Sequence, residues 1–264
     1  MQGPAGLAVS KNRTAEQRVR PYLPLMSRKN PIAARIAAID WQAAGESLDD
    51  RGYACLEGVL NAQQCREVAG WYDDDARFRS TVVMRRHGFG EGEYKYLAYP
   101  LPSLIAALRQ QAYPYLAETA NRWAKQLGQG SPYPAMLARF TAQCHAAGQK
   151  KPTPLILRYH TGGYNRLHQD LYGDIAFPIQ MAILLSAPAH DFEGGEFILA
   201  EQRPRMQSRA EVVPLGQGDA VLFAVNERPV AGQRGYYRAR MRHGVSTIRS
   251  GERATLGIIF HDAR

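Results

Sequence analysis

The pattern of hydrophobic and polar positions changes near residue 150. Before that point, apolar residues recur at the spacing of amphipathic helices, most clearly from Ile32 to Leu48 and from Ser103 to Leu127. Asn61 is a good N-cap for a further helix, and Tyr53–Leu56 has the composition of a short strand. Pro114 lies inside the longest helical segment. We expect a kink or a break there, because proline lacks the amide hydrogen that a helix interior uses.

After residue 150 the chain consists of short apolar runs that are separated by glycine, proline and charged turns. The runs cover residues 155–159, 179–186, 196–200, 211–214, 219–225, 236–242 and 254–260. Many short strands without helical segments between them are typical of an antiparallel sandwich or barrel, and a jelly roll of about eight strands fits. We therefore expect an α+β protein with a jelly-roll core at 151–264. A mostly helical extension at 31–150 would pack on it, after a basic, flexible arm at 1–30.

The charge of the chain favours an anionic partner. The formal net charge is +9 and the pI is near 9.6, which suits nucleic acid, nucleotides or an acidic protein surface. Residues 1–36 contain seven lysines and arginines against one acid, Glu16. This excess suits an arm that contacts nucleic acid, and it is also typical of a solvated terminus.

The cysteines and the hydropathy narrow the class of protein. The three cysteines are odd in number and widely spaced, which indicates neither a disulfide framework nor a zinc site. No segment reaches the roughly 18 apolar residues of a membrane span, and the amino terminus lacks a signal-peptide core. We therefore expect a cytoplasmic protein with reduced thiols and no membrane partner. The sequence contains no signal of oligomeric state.

A candidate metal triad consists of His168, Asp170 and His243. By chance, a chain with 7 histidines and 24 acids in 264 residues contains about 0.6 His-x-acid pairs, so the pair alone has little weight. In an extended strand, however, positions 168 and 170 point the same way, and both side chains can reach one metal. A jelly roll also brings the end of an early strand beside a late one, which lets His243 join them. Two imidazoles and one carboxylate, with other positions open, hold non-haem Fe(II) for oxygen chemistry.

Longer motifs in the second half occur in the order of a known enzyme superfamily. They are Tyr159-x-x-Gly162, His168-x-Asp170, Gly194-Gly195-Glu196-Phe197, Gly218-Asp219-Ala220-Val221-Leu222-Phe223, His243-x-Val245 and Gly251-x-Arg253. They resemble the double-stranded β-helix of 2-oxoglutarate/Fe(II)-dependent dioxygenases, in the prolyl-hydroxylase-like branch. The segments HQDLYGDIAFPIQMAILLS, GGEFILAEQRPRMQSR and RHGVSTIRSGERATLGIIFHDA are more closely similar to a bacterial family of oxygenases that act oxidatively on damaged, methylated DNA. This similarity covers most of the chain and is densest after residue 150.

The resemblance implies both cofactors and their ligands. The metal triad would hold Fe(II), and the open positions would take 2-oxoglutarate and the co-substrate O2. Arg253 follows His243 by ten residues, the interval expected for the partner of the C5 carboxylate of 2-oxoglutarate. Thr255 points the same way on that strand, and Tyr159 matches the family's tyrosine near the same carboxylate.

The resemblance also implies oxidative dealkylation of methylated nucleic acid or nucleotides, which the positive charge supports. Such an enzyme must capture an unpaired base, usually by stacking it on aromatic rings. Phe89, Tyr94, Tyr96 and Tyr99 are conceivable stacking residues in a loop-rich segment, with core packing as the alternative.

Three further residues are candidates for contact with the substrate. Tyr172 follows the metal motif by two residues, and Arg240 and Arg242 lie on the strand that leads to His243. Together with Arg238 these arginines alternate along the strand and share one side. They would line a path for phosphates or form a solvent-facing edge.

Two other functions are open at this point. The prolyl-hydroxylase-like order of the motifs favours hydroxylation of a protein side chain or a small metabolite. AlkB-type repair enzymes have a second arginine six residues after the first, and here that position is Ile259, which counts against nucleic-acid repair. The third function is a non-enzymatic barrel that senses iron or 2-oxoglutarate, or binds nucleic acid. It would have a broken triad or no arginine at 253, whereas this sequence has an intact triad and Arg253.

Overall fold

The structure is a computed structural model that describes Met1 and residues 31–130, 132–171 and 173–264. Its α-helices are α1 Pro31–Ala37, α2 Trp41–Arg51, α3 Ala62–Gly70, α4 Ser103–Gln126 and α5 Leu137–Ala146. Its strands are β1 Tyr53–Leu56, β2 Phe78–Val83, β3 Gly90–Glu91, β4 Glu93–Leu97, β5 Leu155–His160, β6 Tyr164–His168, β7 Ile179–Leu184, β8 Phe192–Gly194, β9 Phe197–Gln202, β10 Arg209–Val213, β11 Ala220–Ala224, β12 Glu227–Gly232, β13 Gly235–Val245 and β14 Ile248–Ile258. Short 3-10 helices lie at Trp71–Asp73, Asp75–Arg77 and Met84–His87.

None of the helices described is both long and apolar enough to cross a lipid bilayer. The predicted arm lies outside the described residues, apart from Met1.

The strands form two antiparallel sheets, as a jelly roll requires. The larger sheet has the order β1-β11-β7-β14-β5-β4-β2, with β8 beside β14. The smaller sheet has the order β10-β9-β13-β6-β3, with β12 beside β13. The predicted α+β class, with a double-stranded β-helix core and helices in the amino-terminal part, is confirmed.

The burial of the strands explains why the apolar runs after residue 150 predict strands. Strands β7 and β11 are buried at every position, because they lie in the middle of the larger sheet and are covered on both faces. Strand β13 instead alternates between exposed and buried residues over much of its length. One face of the smaller sheet therefore meets solvent, and the other meets the core.

The helices differ from the predicted pattern in two places. The predicted helix from Ile32 to Leu48 is two helices, because Asp40 caps the start of α2 by accepting a hydrogen bond from the Ala43 amide at 3.0 Å. The predicted break at Pro114 does not occur, and α4 runs through it. Tyr113 beside it is fully buried, so packing of the helix compensates for the missing amide hydrogen.

Four strands from the first half of the chain complete both sheets. Strand β1 pairs with β11, β4 pairs with β2 and β5, and β3 pairs with β6 of the smaller sheet. The helix predicted after Asn61 is present as α3, and Asn61 forms a capping box with Gln64. The first half of the chain therefore supplies edge strands as well as helices.

Helices α4 and α5 pack on the barrel through aromatic rings. The centroid of the Phe177 ring lies 5.1 Å from that of Tyr113, 5.7 Å from that of Phe140 and 5.4 Å from that of Phe260. All four rings are buried, and each contributes roughly 2–3 kcal/mol of burial free energy. This cluster fixes the segment between residues 173 and 178, which leads from the metal motif into β7.

Candidate metal centre

Strands β6 and β13 place two histidines side by side in the smaller sheet. His168 is the last residue of β6 and is paired directly with His243 on β13. The centroids of the two imidazole rings lie 4.1 Å apart. Phe223 of the larger sheet packs on His243 from the opposite side of the barrel, with 4.6 Å between ring centroids.

Asp170 completes the metal triad. Its carboxylate lies between the two imidazoles, with Oδ1 3.4 Å from His168 Nε2 and Oδ2 3.3 Å from His243 Nε2. One ligand atom from each side chain lies within 4.8 Å of the others, a separation that suits one ion at bond lengths of roughly 2.1 Å. Among the described residues, no other group of three or more histidine, cysteine or acidic side chains lies this close together.

Neighbouring contacts hold the first two members of the motif in place. His168 Nδ1 lies 2.8 Å from the Arg166 carbonyl oxygen, which can only accept a hydrogen bond. Nδ1 therefore carries a proton, and Nε2, the nitrogen nearer Asp170, is the one left to bind a metal ion. The Gln169 side chain points elsewhere and donates hydrogen bonds to Asn226 Oδ1 at 2.6 Å and to the Met241 carbonyl at 2.9 Å. These two bonds tie the residue after β6 to β13 and to the turn between β11 and β12.

Asp170 and His243 have the protonation states that metal binding needs. Burial opposes ionisation of Asp170, but hydrogen bonds from His168 and His243 outweigh it and hold the pKa of Asp170 well below its usual value. Burial and the charge of His168 lower the pKa of His243. Burial also acts to lower the pKa of His168, but the hydrogen bond and charge of Asp170 raise it overall. At neutral pH the carboxylate is ionised and His243 is neutral, as ligands of a cation must be.

A buried arginine lies in the same cavity. Arg253 on β14 is 2% exposed and is paired with Tyr159 on β5. Its Nη1 donates a hydrogen bond to Thr255 Oγ1 at 2.6 Å, and its Nε has no hydrogen-bond partner among the described residues. Burial lowers the pKa of Arg253 to about 10, so the guanidinium is charged at neutral pH. A buried cation without a counter-ion is costly, and the site therefore suits an anion.

One cavity of about 200 Å³ joins these two groups. It is lined by the metal triad and by the arginine group, which we define as Tyr159, Arg253 and Thr255. The rest of its wall is mainly apolar and includes the aromatic rings of Phe89 and Tyr94. Phe89 is 45% exposed at the opening of the cavity, and its ring stacks on that of His87 with 5.3 Å between centroids.

The other aromatic candidates lie elsewhere. Tyr96 is buried and its ring meets that of Tyr94 edge-on, with 5.4 Å between centroids. Tyr99 donates a hydrogen bond from its hydroxyl to Asp262 at 2.8 Å. These two rings have structural contacts and do not line the cavity.

The predicted substrate-binding arginines lie outside the cavity. Arg240 and Arg242 are exposed on the face of β13 opposite to His243, and Arg238 on the same face pairs with Glu227, with 3.0 Å between Nε and Oε2. Their contact with a polymer that extends beyond the cavity stays a prediction. Tyr172 lies outside the described residues.

Sequence reasoning did not identify Gln180. It lies on β7, is 5% exposed and lines the cavity. The available signal was an amide side chain inside the apolar run 179–186.

An antiparallel jelly roll that gathers two histidines, one carboxylate and a buried arginine in one cavity has the architecture of Fe(II)- and 2-oxoglutarate-dependent oxygenases. Residues 92–263 match the Oxygenase-NA family, which is described as "Oxygenase, catalysing oxidative methylation of damaged DNA". The chain belongs to this family, and it is an oxygenase. The predicted superfamily and the predicted bacterial family are confirmed.

The relatives with similar sequences include two uncharacterized proteins of Mycobacterium tuberculosis, from strains CDC 1551 and H37Rv. Each is 50% identical over 164 residues, which cover 62% of this chain and 70% of the relative. A 2OG-Fe(II) oxygenase family oxidoreductase from Burkholderia pseudomallei is 14% identical, with a TM-score of 0.51 over 86% of this chain and 94% of that one. A prolyl-4-hydroxylase from Pseudomonas putida is 16% identical, with a TM-score of 0.49 over 85% and 99% of the two chains. At such identities the structural likeness concerns the fold alone.

Proposed function

We propose that this protein is an Fe(II)- and 2-oxoglutarate-dependent dioxygenase that removes methyl groups oxidatively from nucleic-acid bases or nucleotides. One observation supports it most directly: the metal triad and the buried, charged Arg253 line the same cavity. A cation site and an anion site in one enclosed space are what an iron-bound dicarboxylic keto acid needs.

The residues of the triad fit Fe(II). Imidazole and carboxylate are the ligands that this ion takes in non-haem oxygenases, and three ligands leave further positions open. His168 presents Nε2 because its Nδ1 is bonded to the backbone, and the ionised Asp170 supplies negative charge between the two rings. Gln169 fixes the backbone between these two ligands through its bonds to Asn226 and Met241, and thereby positions them.

The arginine group fits the C5 carboxylate of 2-oxoglutarate. The unpaired Nε of Arg253 is a buried donor, and a planar guanidinium binds a carboxylate better than an ammonium does. Thr255 holds the guanidinium in position by accepting its Nη1 hydrogen bond. Tyr159 lies beside Arg253 on the neighbouring strand and is fully buried, which excludes water from this end of the cavity.

When bound, iron and 2-oxoglutarate supply the oxidising power, since O2 and the keto acid are converted to succinate and carbon dioxide as one oxygen atom enters a substrate C–H bond. On an N-methyl group this insertion gives a hydroxymethyl amine. Its carbon–nitrogen bond then breaks, the nitrogen takes the hydroxyl proton, and formaldehyde leaves. The chain's own contribution is to hold the methyl group beside the triad and to keep bulk water out.

Three observations support a nucleobase as the substrate. The cavity wall is mainly apolar, which suits the faces of a base, and the exposed ring of Phe89 at its opening offers a surface for stacking. The net charge of +9 favours a polyanion. The family description names damaged DNA.

The cytoplasmic location and the domain boundaries at residues 30 and 150 stay predictions.

The test measures succinate and formaldehyde with Fe(II) and 2-oxoglutarate across methylated oligonucleotides, methylated free nucleotides and a peptide library. We expect formaldehyde only with methylated bases, in equal amounts with the substrate-dependent succinate. A peptide or metabolite that gains one oxygen without formaldehyde would support the hydroxylase alternative instead. Purified, folded protein that forms no succinate with any substrate would support the non-enzymatic barrel.

A further inference from the structure

Gly195 lies at a place where a side chain would collide with Arg253. Its φ angle is +62°, in the left-handed region that glycine adopts readily and other residues rarely do. A Cβ atom on this backbone would lie 2.8 Å from Arg253 Cδ and would overlap with Ile248 Cδ1. Carbon atoms pack at about 3.5–4.0 Å, so the Arg253 methylene would have to move by roughly 1 Å. The lack of a side chain at residue 195 therefore leaves the space that Arg253 occupies.

The backbone at Gly195 is bonded to the segment between β13 and β14. The Gly195 amide donates a hydrogen bond to the Thr247 carbonyl at 3.1 Å, and the Glu196 amide donates one to Ser246 Oγ at 2.9 Å. Moving this backbone away from Arg253 would break both bonds. A collision at residue 195 would therefore be relieved mainly by movement of the neighbouring side chains.

The guanidinium of Arg253 has a position that several contacts define together. Its Cζ lies 6.0 Å from the centroid of the Tyr159 ring and 5.8 Å from that of the Phe192 ring. Its Nη1 is bonded to Thr255 Oγ1, and a Cβ atom on Gly195 would lie 3.4 Å from its Nε. A shift of the Cδ methylene changes the direction of every N–H group beyond it, and hydrogen bonds weaken steeply when they are misaligned.

We propose that Gly195 is a positioning residue for 2-oxoglutarate, because its missing side chain places the Arg253 guanidinium where it meets the C5 carboxylate. This inference rests on the proposed function, which takes Arg253 as the partner of that carboxylate. Gly195→Ala would displace the guanidinium and leave the metal triad as it is. It should therefore weaken the binding of the C5 carboxylate and not the binding of the keto acid to the metal.

The experiment compares two keto acids that differ only at the far end of the chain. 2-Oxoglutarate has its C5 carboxylate there, and 2-oxopentanoate has a methyl group in the same place. Both have the same keto-acid end for the metal. Calorimetry on the Fe(II)-loaded protein without O2 gives the two dissociation constants, so the readout needs no turnover. Their ratio measures how much the C5 carboxylate contributes to binding.

Gly58→Ala is the matched control. Gly58 has a φ angle of +58°, close to that of Gly195, but a Cβ atom on it would meet nothing within 4 Å. The control therefore has the backbone strain of the substitution without the collision. Both alanine variants should lower the melting temperature of the metal-free protein, and the control should keep the wild-type ratio of dissociation constants.

We expect the wild type to bind 2-oxoglutarate roughly a hundredfold more tightly than 2-oxopentanoate, since hydrogen bonds to charged groups are the strong ones. Gly195→Ala should lower this ratio to about tenfold or less and change the affinity for 2-oxopentanoate by less than about threefold. In an Arg253→Met background, Gly195→Ala should change the affinity for 2-oxoglutarate by less than about threefold, because residues that act through one another are not additive.

A second variant covers a failure of Gly195→Ala to fold. Adding Ile248→Val removes the overlapping Cδ1 atom and keeps the collision with Arg253, and the same ratio is then measured. A wild-type ratio would overturn the proposal. Equal weakening of both keto acids would also overturn it, because that result indicates a general distortion of the site. If the wild type binds both keto acids equally, Arg253 does not bind the C5 carboxylate, and the proposed function fails before this inference is reached.

Discussion

Arg253 donates a hydrogen bond from Nη1 to Thr255 Oγ1 at 2.6 Å, two residues further along the same strand. The bond holds the guanidinium in one orientation and leaves Nε without a partner among the described residues. The side chain is 2% exposed and forms no salt bridge among the described residues, and Glu196 acts on its charge only from a distance. The buried charge therefore destabilises the ligand-free protein, and binding of an anion removes this cost.

Replacement of Arg253 should therefore weaken 2-oxoglutarate binding without unfolding the protein. For Arg253→Lys we expect a rise in KM for 2-oxoglutarate of roughly ten- to a hundredfold, since a charged hydrogen bond is worth about 1.5–3 kcal/mol. Arg253→Met should raise it further, while its melting temperature without 2-oxoglutarate should match or exceed that of the wild type. Steady-state kinetics and thermal unfolding measure the two effects. A large loss of stability in Arg253→Met would show that the arginine is mainly structural.

The metal triad should control iron content separately from folding. His168→Ala removes one of three ligands, and we expect iron affinity to fall by at least about a hundredfold and turnover to be lost, with the circular dichroism spectrum unchanged. His160→Ala is the matched control, because His160 is exposed and its Nδ1 lies 3.3 Å from Glu252 rather than near the triad. Iron per protein after dialysis gives the readout. Retained turnover in His168→Ala would reject the ligand assignment.

The sequence predicted the jelly roll and the triad because both depend on local rules. Short apolar runs mark strands wherever a sheet is covered, as β7 and β11 show, and strand alternation places His168 and Asp170 on one side. The same alternation also places Arg240 and Arg242 on the side of β13 opposite to His243. Their position outside the cavity was therefore available from the sequence.

The remaining features depend on tertiary contacts. Nothing near Pro114 in the sequence shows that α4 is held together by burial of Tyr113. The unpaired oxygen of Gln180 is likewise defined by what surrounds it, since an isolated glutamine in an apolar run has no particular meaning. Local patterns thus predict elements and ligand motifs, whereas the burial and pairing of single polar atoms become visible only in the folded chain.

The exposed arginines of β13 should matter for polymers and not for free nucleotides. We expect the double variant Arg240→Ala, Arg242→Ala to leave kcat/KM on a methylated nucleotide unchanged, because neither residue lines the cavity. On a methylated oligonucleotide, the slope of log affinity against log salt should become shallower by roughly 0.7 per lost phosphate contact on a single strand. Binding measured at several salt concentrations tests this. An unchanged slope would place the path of the polymer elsewhere on the surface.

His261 is a buried histidine that should make the protein sensitive to acid. Its Nδ1 accepts a hydrogen bond from the Phe177 amide at 3.1 Å, and the residue is 1% exposed. Burial, reinforced by the charge of Arg109, lowers the pKa of His261 from 6.5 to about 4. Between pH 6.5 and 4 the unfolded chain therefore binds a proton at this position that the folded chain does not. Stability is lost as the pH falls through this window, by about 3 kcal/mol in total.

The variant His261→Asn should remove that dependence, because an amide oxygen can accept the Phe177 hydrogen bond and does not titrate. Free energies of unfolding of the iron-free protein, measured from pH 7.5 to pH 4, would give the slopes for both proteins. We expect the wild type to lose more stability than His261→Asn below pH 6.5, and the difference to level off near pH 4. The comparison cancels the contribution of His243, whose lowered pKa acts in the same direction in both proteins. Parallel curves for the two proteins would mean that His261 is protonated in the folded state at a normal pKa, and the buried, neutral acceptor described here would be wrong.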